Sequence, residues 1–260
     1  MSSQQQANNE YTFPFGKLTF SSTLNNVVLI ACGSFNPITN SHLRMFETAR
    51  DFLQNEEGYH VVGGFISPVH QDYEKRKPTL ISAKYRVDMC RLAVSDSDWI
   101  NIDEWEVNQS EYSRTLLVLK HFQDEIEKSY TSTTELRIML LCGADLLQSF
   151  VKPGVWIPEQ VEYILSKFGA CCIERDGISV NTIVFEHDTL YRNKKNIHII
   201  PEWIINDVSS TKVRQLVRRN NSVKYYVHDK VEKYINEHKL YKAEDFVPII
   251  SESVFENKKL

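Results

Sequence analysis

The sequence predicts an α/β fold: a doubly wound, mostly parallel sheet with helices on both faces. Three observations predict it. Short, unbroken apolar runs recur along the chain, as in strands covered on both sides. Between them apolar residues return at helical spacing. Two of the runs end in a glycine turn that leads into a helix start.

In chain order, residues 27–32 read as the first buried strand. Leu43, Phe46, Ala49 and Leu53 then share one helical face. Residues 61–66 read as a second strand, and Tyr85, Met89, Leu92 and Ala93 as a second helix. A short strand is expected at 99–102 and a helix at 116–126. Residues 138–142, 170–173 and 197–200 read as further strands, and 213–217 and 231–235 as helices. Residues 1–25 open with a polar, glutamine-rich run and are expected to form a tail, although Phe13, Phe15 and Phe20 can dock. The folded domain is expected over 26–242, with a second tail at 243–260.

Composition removes several classes of function. The chain has 260 residues, 25% charged and 42% hydrophobic, so it can bury a core without staples. Its formal net charge of −4 argues against a strongly basic nucleic-acid binder. No apolar run reaches the length of a membrane span, so no membrane partner is expected. Five cysteines, an odd number lying mostly in apolar runs, read as reduced core thiols without zinc spacing. With a polar N-terminus, they point to an intracellular protein of the cytoplasm or nucleus, and a mitochondrial location stays open. No heptad or repeat marks an interface, and a homo-oligomer also stays open.

In a parallel α/β sheet, ligands bind beyond the carboxyl ends of the strands. The first such end is Gly33-Ser34-Phe35-Asn36-Pro37, followed by Thr39 and His42. Gly33 permits a tight turn, Thr39 or Asn40 can cap the next helix, and its free N–H groups suit a phosphate. The plainer alternative is an ordinary turn with a surface histidine. Ser209-Ser210-Thr211-Lys212-Val213-Arg214 opens another helix with hydroxyls and cations. It is either a polyphosphate cradle or a capped helix with a solvated basic face. Gly143-Ala144-Asp145 follows a strand, and Asp145 is a candidate cap or ligand acceptor. Trp156, in a Pro/Gly loop, either covers a small core or stacks on a cationic ring.

Gly-Ser-Phe-Asn-Pro with Thr39-x-x-His42, joined to Val208-Ser-Ser-Thr-x-x-Arg214, resembles the signatures of the nucleotidyltransferase superfamily. The wording is most similar to the eukaryotic nicotinamide/nicotinate mononucleotide adenylyltransferases, over roughly residues 27–241. The resemblance implies a Rossmann-like fold and transfer of AMP from ATP to either mononucleotide, with release of pyrophosphate and Mg²⁺ as the ion accompanying ATP. It implies catalytic roles for His42, Lys75 and Arg214. ATP would contact Gly33, Ser34, Phe35, Thr39, His42, Gly143, Asp145, Asn206, Ser209, Ser210, Thr211 and Arg214. The mononucleotide would contact Ser34, Lys75, Tyr112, Thr115, Asp145, Val155, Trp156 and Glu202. No residue is assigned as a protein metal ligand. Tyr112 stands where the family usually carries Trp, and the register of Lys75 against Lys77 is open. Other nucleotidyltransferases, class I aminoacyl-tRNA synthetases and a non-enzymatic scaffold are the competing readings. Trp156 speaks against the first, and chain length against the second.

Overall fold

The protein is described by a computed structural model covering residues 11–75, 77–131, 133–175, 177–204 and 206–242. Residues 1–10 of the first expected tail and the whole of the second, 243–260, lie outside these residues.

Six strands form one sheet: β1 (Asn26–Gly33), β2 (His60–Pro68), β3 (Ile100–Ile102), β4 (Leu136–Gly143), β5 (Ala170–Ile173) and β6 (Ile197–Ile200). Their order is β3-β2-β1-β4-β5-β6, and every pairing is parallel. The order reverses between β1 and β4, so the crevice beyond their carboxyl ends is where a ligand belongs in this topology. Gly33 closes β1 and Gly143 closes β4. Both glycine turns therefore stand at that crevice.

Burial on two faces explains the unbroken apolar runs. Val27, Leu29 and Ala31 face one core, while Val28 and Ile30 face the other. Helices α1 (Asn40–Asn55), α2 (Ala83–Ala93), α8 (Ser210–Arg218) and α9 (Asp229–Glu237) cover the first face. Helices α3 (Thr115–Ser129), α4 (Ala144–Phe150), α5 (Pro158–Tyr163), α6 (Val180–Glu186) and α7 (Asp188–Arg192) cover the second. Helices α5 to α7 were not anticipated, because five to seven residues are too few to show a helical period. All five cysteines are free thiols. No helix of the described residues is long and apolar enough to cross a membrane.

Residues 11–25, expected as the end of a tail, are held on the fold. Phe13 is buried between Phe65 of β2 and Phe122 of α3, with ring centroids 5.1 and 5.7 Å away. The Lys17 ammonium donates to the carbonyls of Val94 and Ile100, and the Thr19 N–H to that of Val62. Apolar anchors and backbone bonds thus bring in a segment whose local composition reads as unstructured. Phe13→Ala is expected to cost about 3 kcal/mol, read as a lower urea midpoint at unchanged slope.

Candidate active site

The crevice holds two cavities that meet at Asp145. The first, of about 710 Å³, is lined by Ser41, Gly143, Asp145, Arg175, Glu202 and Asn206, among others. A Cβ on Gly143 would meet no protein atom within 4 Å and would project into this space. The second, of about 510 Å³, runs from Gly33, Ser34, His42 and Lys77 to Tyr112, Thr115, Val155 and Trp156. The first turn of α1 lies at the junction, with Ser41 on one side and His42 on the other.

His42 is set by the helix cap. The Thr39 N–H donates to His42 Nδ1 at 3.0 Å, completing a capping box. An accepting Nδ1 places the ring proton on Nε2. Burial, and then the charges of Lys77 and Arg175, lower its pKa to about 4. His42 is thus a neutral N–H donor at physiological pH rather than a cation. Phe35 packs edge-on against this ring at 5.3 Å. Its backbone φ of 41° lies in the left-handed region, a strain of roughly 1–2 kcal/mol offset by burial of the ring.

Lys75 is not brought to the cleft. It ends a 3₁₀ turn (Gln71–Lys75), is 75% exposed and pairs with Asp72 at 3.6 Å. The turn continues through bonds from the Lys77 N–H to the Tyr73 and Glu74 carbonyls. That continuation points Lys77 inward, where its ammonium donates to Ser34 Oγ at 2.7 Å. Burial, and then Arg214 and Arg86, lower the Lys77 pKa. Three cations thus sit close around the Gly33–Pro37 loop, an arrangement that favours an anion between them.

The loop is fastened from behind. Arg86, wholly buried, donates to the carbonyls of Ser34, Val69 and Ile81. Arg214 Nη1 donates to the Asn36 carbonyl at 2.6 Å and Nη2 to Thr211 Oγ1 at 3.2 Å, while its buried Nε has no partner. Ser210 Oγ donates to the Pro37 carbonyl, and Ser209 caps α8 by accepting from the Lys212 N–H. Ser209, Ser210, Thr211 and Arg214, with Phe35 and Thr39, therefore support the site from outside both cavity linings.

Trp156 covers a small apolar cluster and also faces the second cavity. Its ring lies edge-on to Phe150 at 4.7 Å, and its Nε1–H donates to Ser149 Oγ at 2.9 Å. Its exposed part lines the second cavity. Tyr112 lies in the same cavity beside Tyr73, with centroids 5.6 Å apart. Glu202 lies in the first cavity with Asn206, because both follow β6 on the far side of the crevice. Asp145 joins the cavities and is paired with Arg175 at 2.6 Å.

Lys77, the alternative to Lys75 left open by the sequence, is the one in the cleft, whereas Glu106, Arg86, Tyr73, Arg114 and Arg175 were missed. Arg175 stands two residues past β5, so the strand-end rule applied there would have found it. Nothing periodic marks Arg86 or Glu106. Glu106 lines the second cavity, accepts from Ser67 Oγ at 2.7 Å and is pushed up to about 8 by burial. Among the described residues, no three His, Cys, Asp or Glu side chains are placed to hold a metal ion.

The profile of the cytidylyltransferase-like family matches residues 30–216. The nicotinamide/nicotinic acid mononucleotide adenylyltransferase 1 of Bos taurus is 41% identical over 253 residues, covering 84% of this chain and 89% of that one. The corresponding enzyme of Arabidopsis thaliana is 43% identical over 232 residues, 88% of this chain and 96% of that one. Among solved structures, the Plasmodium falciparum nicotinic acid mononucleotide adenylyltransferase complexed with NaAD superposes with a TM-score of 0.60 at 21% identity, over 84% of this chain and 98% of that one. That last likeness is one of fold. The chain belongs to the cytidylyltransferase-like family and, within it, to the nicotinamide/nicotinic acid mononucleotide adenylyltransferases.

Two outcomes follow for the site. Lys77→Ala is expected to weaken nucleotide binding by at least tenfold and Lys75→Ala by less than twofold, measured by calorimetric titration with ATP. The two buried acids and bases also act on stability in opposite directions. His42, lowered from 6.5 to about 4, costs stability as pH falls through that window, since only the unfolded chain takes up the proton. Glu106, raised from 4.5 to about 8, costs stability as pH rises through its own window, since only the unfolded chain releases the proton. Glu106→Gln is therefore expected to gain stability relative to the parent between pH 5 and pH 8, followed by urea midpoints.

Proposed function

We propose that this chain transfers the adenylyl group of ATP to nicotinamide mononucleotide and nicotinate mononucleotide, forming NAD or its deamido form and pyrophosphate. The observation that carries this reading is the paired cavity with an anion-seeking junction. One side offers a glycine-floored space beside Asp145, the other an aromatic pair, and between them lie the α1 N-terminus, His42, Ser34 and Lys77. That layout suits a nucleoside on one side, a pyridine ring on the other and phosphates in the middle. The names of the relatives support the same substrates.

The chemistry needs no protein nucleophile. The mononucleotide phosphate is already an anion at neutral pH. One of its oxygens bonds to the α-phosphorus of ATP as the α–β bridging bond breaks, and pyrophosphate leaves with that bonding pair. The protein must bring two anions into line and offset their repulsion, so orientation and preorganised charge do the work. His42 offers its Nε2–H to a phosphate oxygen without adding charge, while Lys77 adds a cation. Arg214 contributes positive field from behind the loop and holds Asn36 in place. Gly143 gives the nucleotide close approach, and Gly33 leaves room for the Phe35 ring that packs on His42.

A magnesium ion fits this site only as part of the nucleotide. Asp145 is engaged with Arg175 and Glu106 with Ser67, and among the described residues no three His, Cys, Asp or Glu side chains are grouped to hold an ion, so ATP oxygens and water would hold it. Bound there, it would neutralise charge on the departing pyrophosphate. In this reading the catalytic body extends from the N-terminal strap to Tyr241.

Purified protein with ATP, Mg²⁺ and each mononucleotide in turn is expected to release pyrophosphate and the matching dinucleotide. Folded protein that binds ATP but turns over neither mononucleotide would falsify the acceptor assignment. His42→Ala is expected to lower kcat about a hundredfold with a smaller change in KM, as loss of one preorganised donor does.

A further inference from the structure

Resting on that reading, we propose that Arg114 recognises the pyridine carboxylate of nicotinate mononucleotide and gives the acid preference over the amide. Arg114 lines the second cavity together with Tyr112, Thr115 and Trp156. Its side chain makes no hydrogen bond or ion pair among the described residues. It also gains nothing from its own helix. Arg114 precedes α3 and makes no side-chain cap, and a helix start disfavours positive charge. An unpaired guanidinium there has no structural partner, and the cavity is where a ligand would supply one.

The other charged groups around the cavity leave that guanidinium uncancelled. The Glu106 carboxyl sits against Ser67 and is held largely protonated at neutral pH by burial. Asp145 is committed to Arg175. Lys77 is engaged with Ser34, and His42 is neutral. Asp72, beyond Tyr73, faces Lys75. The local field is therefore positive.

The two substrates differ in how they meet such a field. The amide mononucleotide carries a pyridinium cation with a neutral substituent, which a nearby guanidinium repels. The acid carries the same cation next to a carboxylate, so its ring end is neutral overall and its oxygens match the planar fork of an arginine. Tyr112 acts in the same direction, since a tyrosine face attracts a cationic ring less than a tryptophan face does. Trp156 can stack on either ring, which keeps both as substrates.

The test compares kcat/KM for both mononucleotides at saturating ATP and Mg²⁺, in the parent protein, R114Q and R114K. The parent is expected to favour the acid. In R114Q the acid-to-amide ratio is expected to fall about tenfold, the scale of one charge-assisted hydrogen bond. The fall should lie in KM, because the carboxylate takes no part in bond making. R114K should retain only part of the preference, since it keeps the charge but loses the planar fork. Added salt should narrow it in the parent, since the group is only half-buried. A ratio in R114Q within twofold of the parent, with both substrates still turned over, overturns the assignment of Arg114. Turnover of neither mononucleotide by the parent protein overturns the underlying reading instead, and this inference with it.

Discussion

Asn36 has no exposure to solvent, and three distant parts of the chain meet on it. Its Nδ2 donates to the Thr79 carbonyl, its Oδ1 accepts from the Tyr241 hydroxyl, and its own carbonyl accepts from Arg214. Buried polar groups of this kind are costly when any partner is lost, so the contacts hold or fail together. Through them the last residues of the fold, the start of α8 and the segment before α2 determine where the turn after β1 lies. The position of Ser34, and through it of Lys77, follows from that turn. Arg86 adds a second fastening from below, on the Ser34 carbonyl.

This way of fixing the loop has an electrostatic consequence. Arg86 and Arg214 are buried against carbonyl oxygens rather than carboxylates, so their charge is solvated by dipoles but not neutralised. Lys77 enters the same field, which lowers its pKa along with burial. The unliganded site thus holds a surplus of positive charge in a partly enclosed space, and reacting phosphates relieve it. Burial first, and then the charges of Lys77 and Arg175, keep His42 a neutral donor.

The chain's division of labour across the sheet follows from the strand order. Because β1 and β4 diverge at the reversal, their two glycine ends face one crevice, and each half of the sheet supplies one wall. Segments after β4, β5 and β6 build the wall by Asp145, Arg175 and Glu202. Those after β1, β2 and β3 build the wall by Ser34, Lys77 and Tyr112. Asp145 serves both cavities because α4 begins at the reversal itself.

The sheet was legible in the sequence because burial on both faces demands unbroken apolar runs, and each of the six expected runs became a strand. The glycine turns, the helix starts at Thr39 and Ser209 and the aromatic at Trp156 were legible for a similar reason. Each depends on backbone chemistry within a few residues. Other features were decided only in three dimensions. Lys77 rather than Lys75 reaches the cleft because a 3₁₀ turn sets which lysine points inward. Glu202 lies in the first cavity because strand order, which no local pattern encodes, places the end of β6 there. The docking open to Phe13 in the sequence was decided by anchors on β2 and α3. Arg86 and Glu106 carry no local signal of a role, because only packing buries them. Local sequence determines conformation and caps, whereas charge environment and cavity membership depend on contacts between residues far apart in the chain.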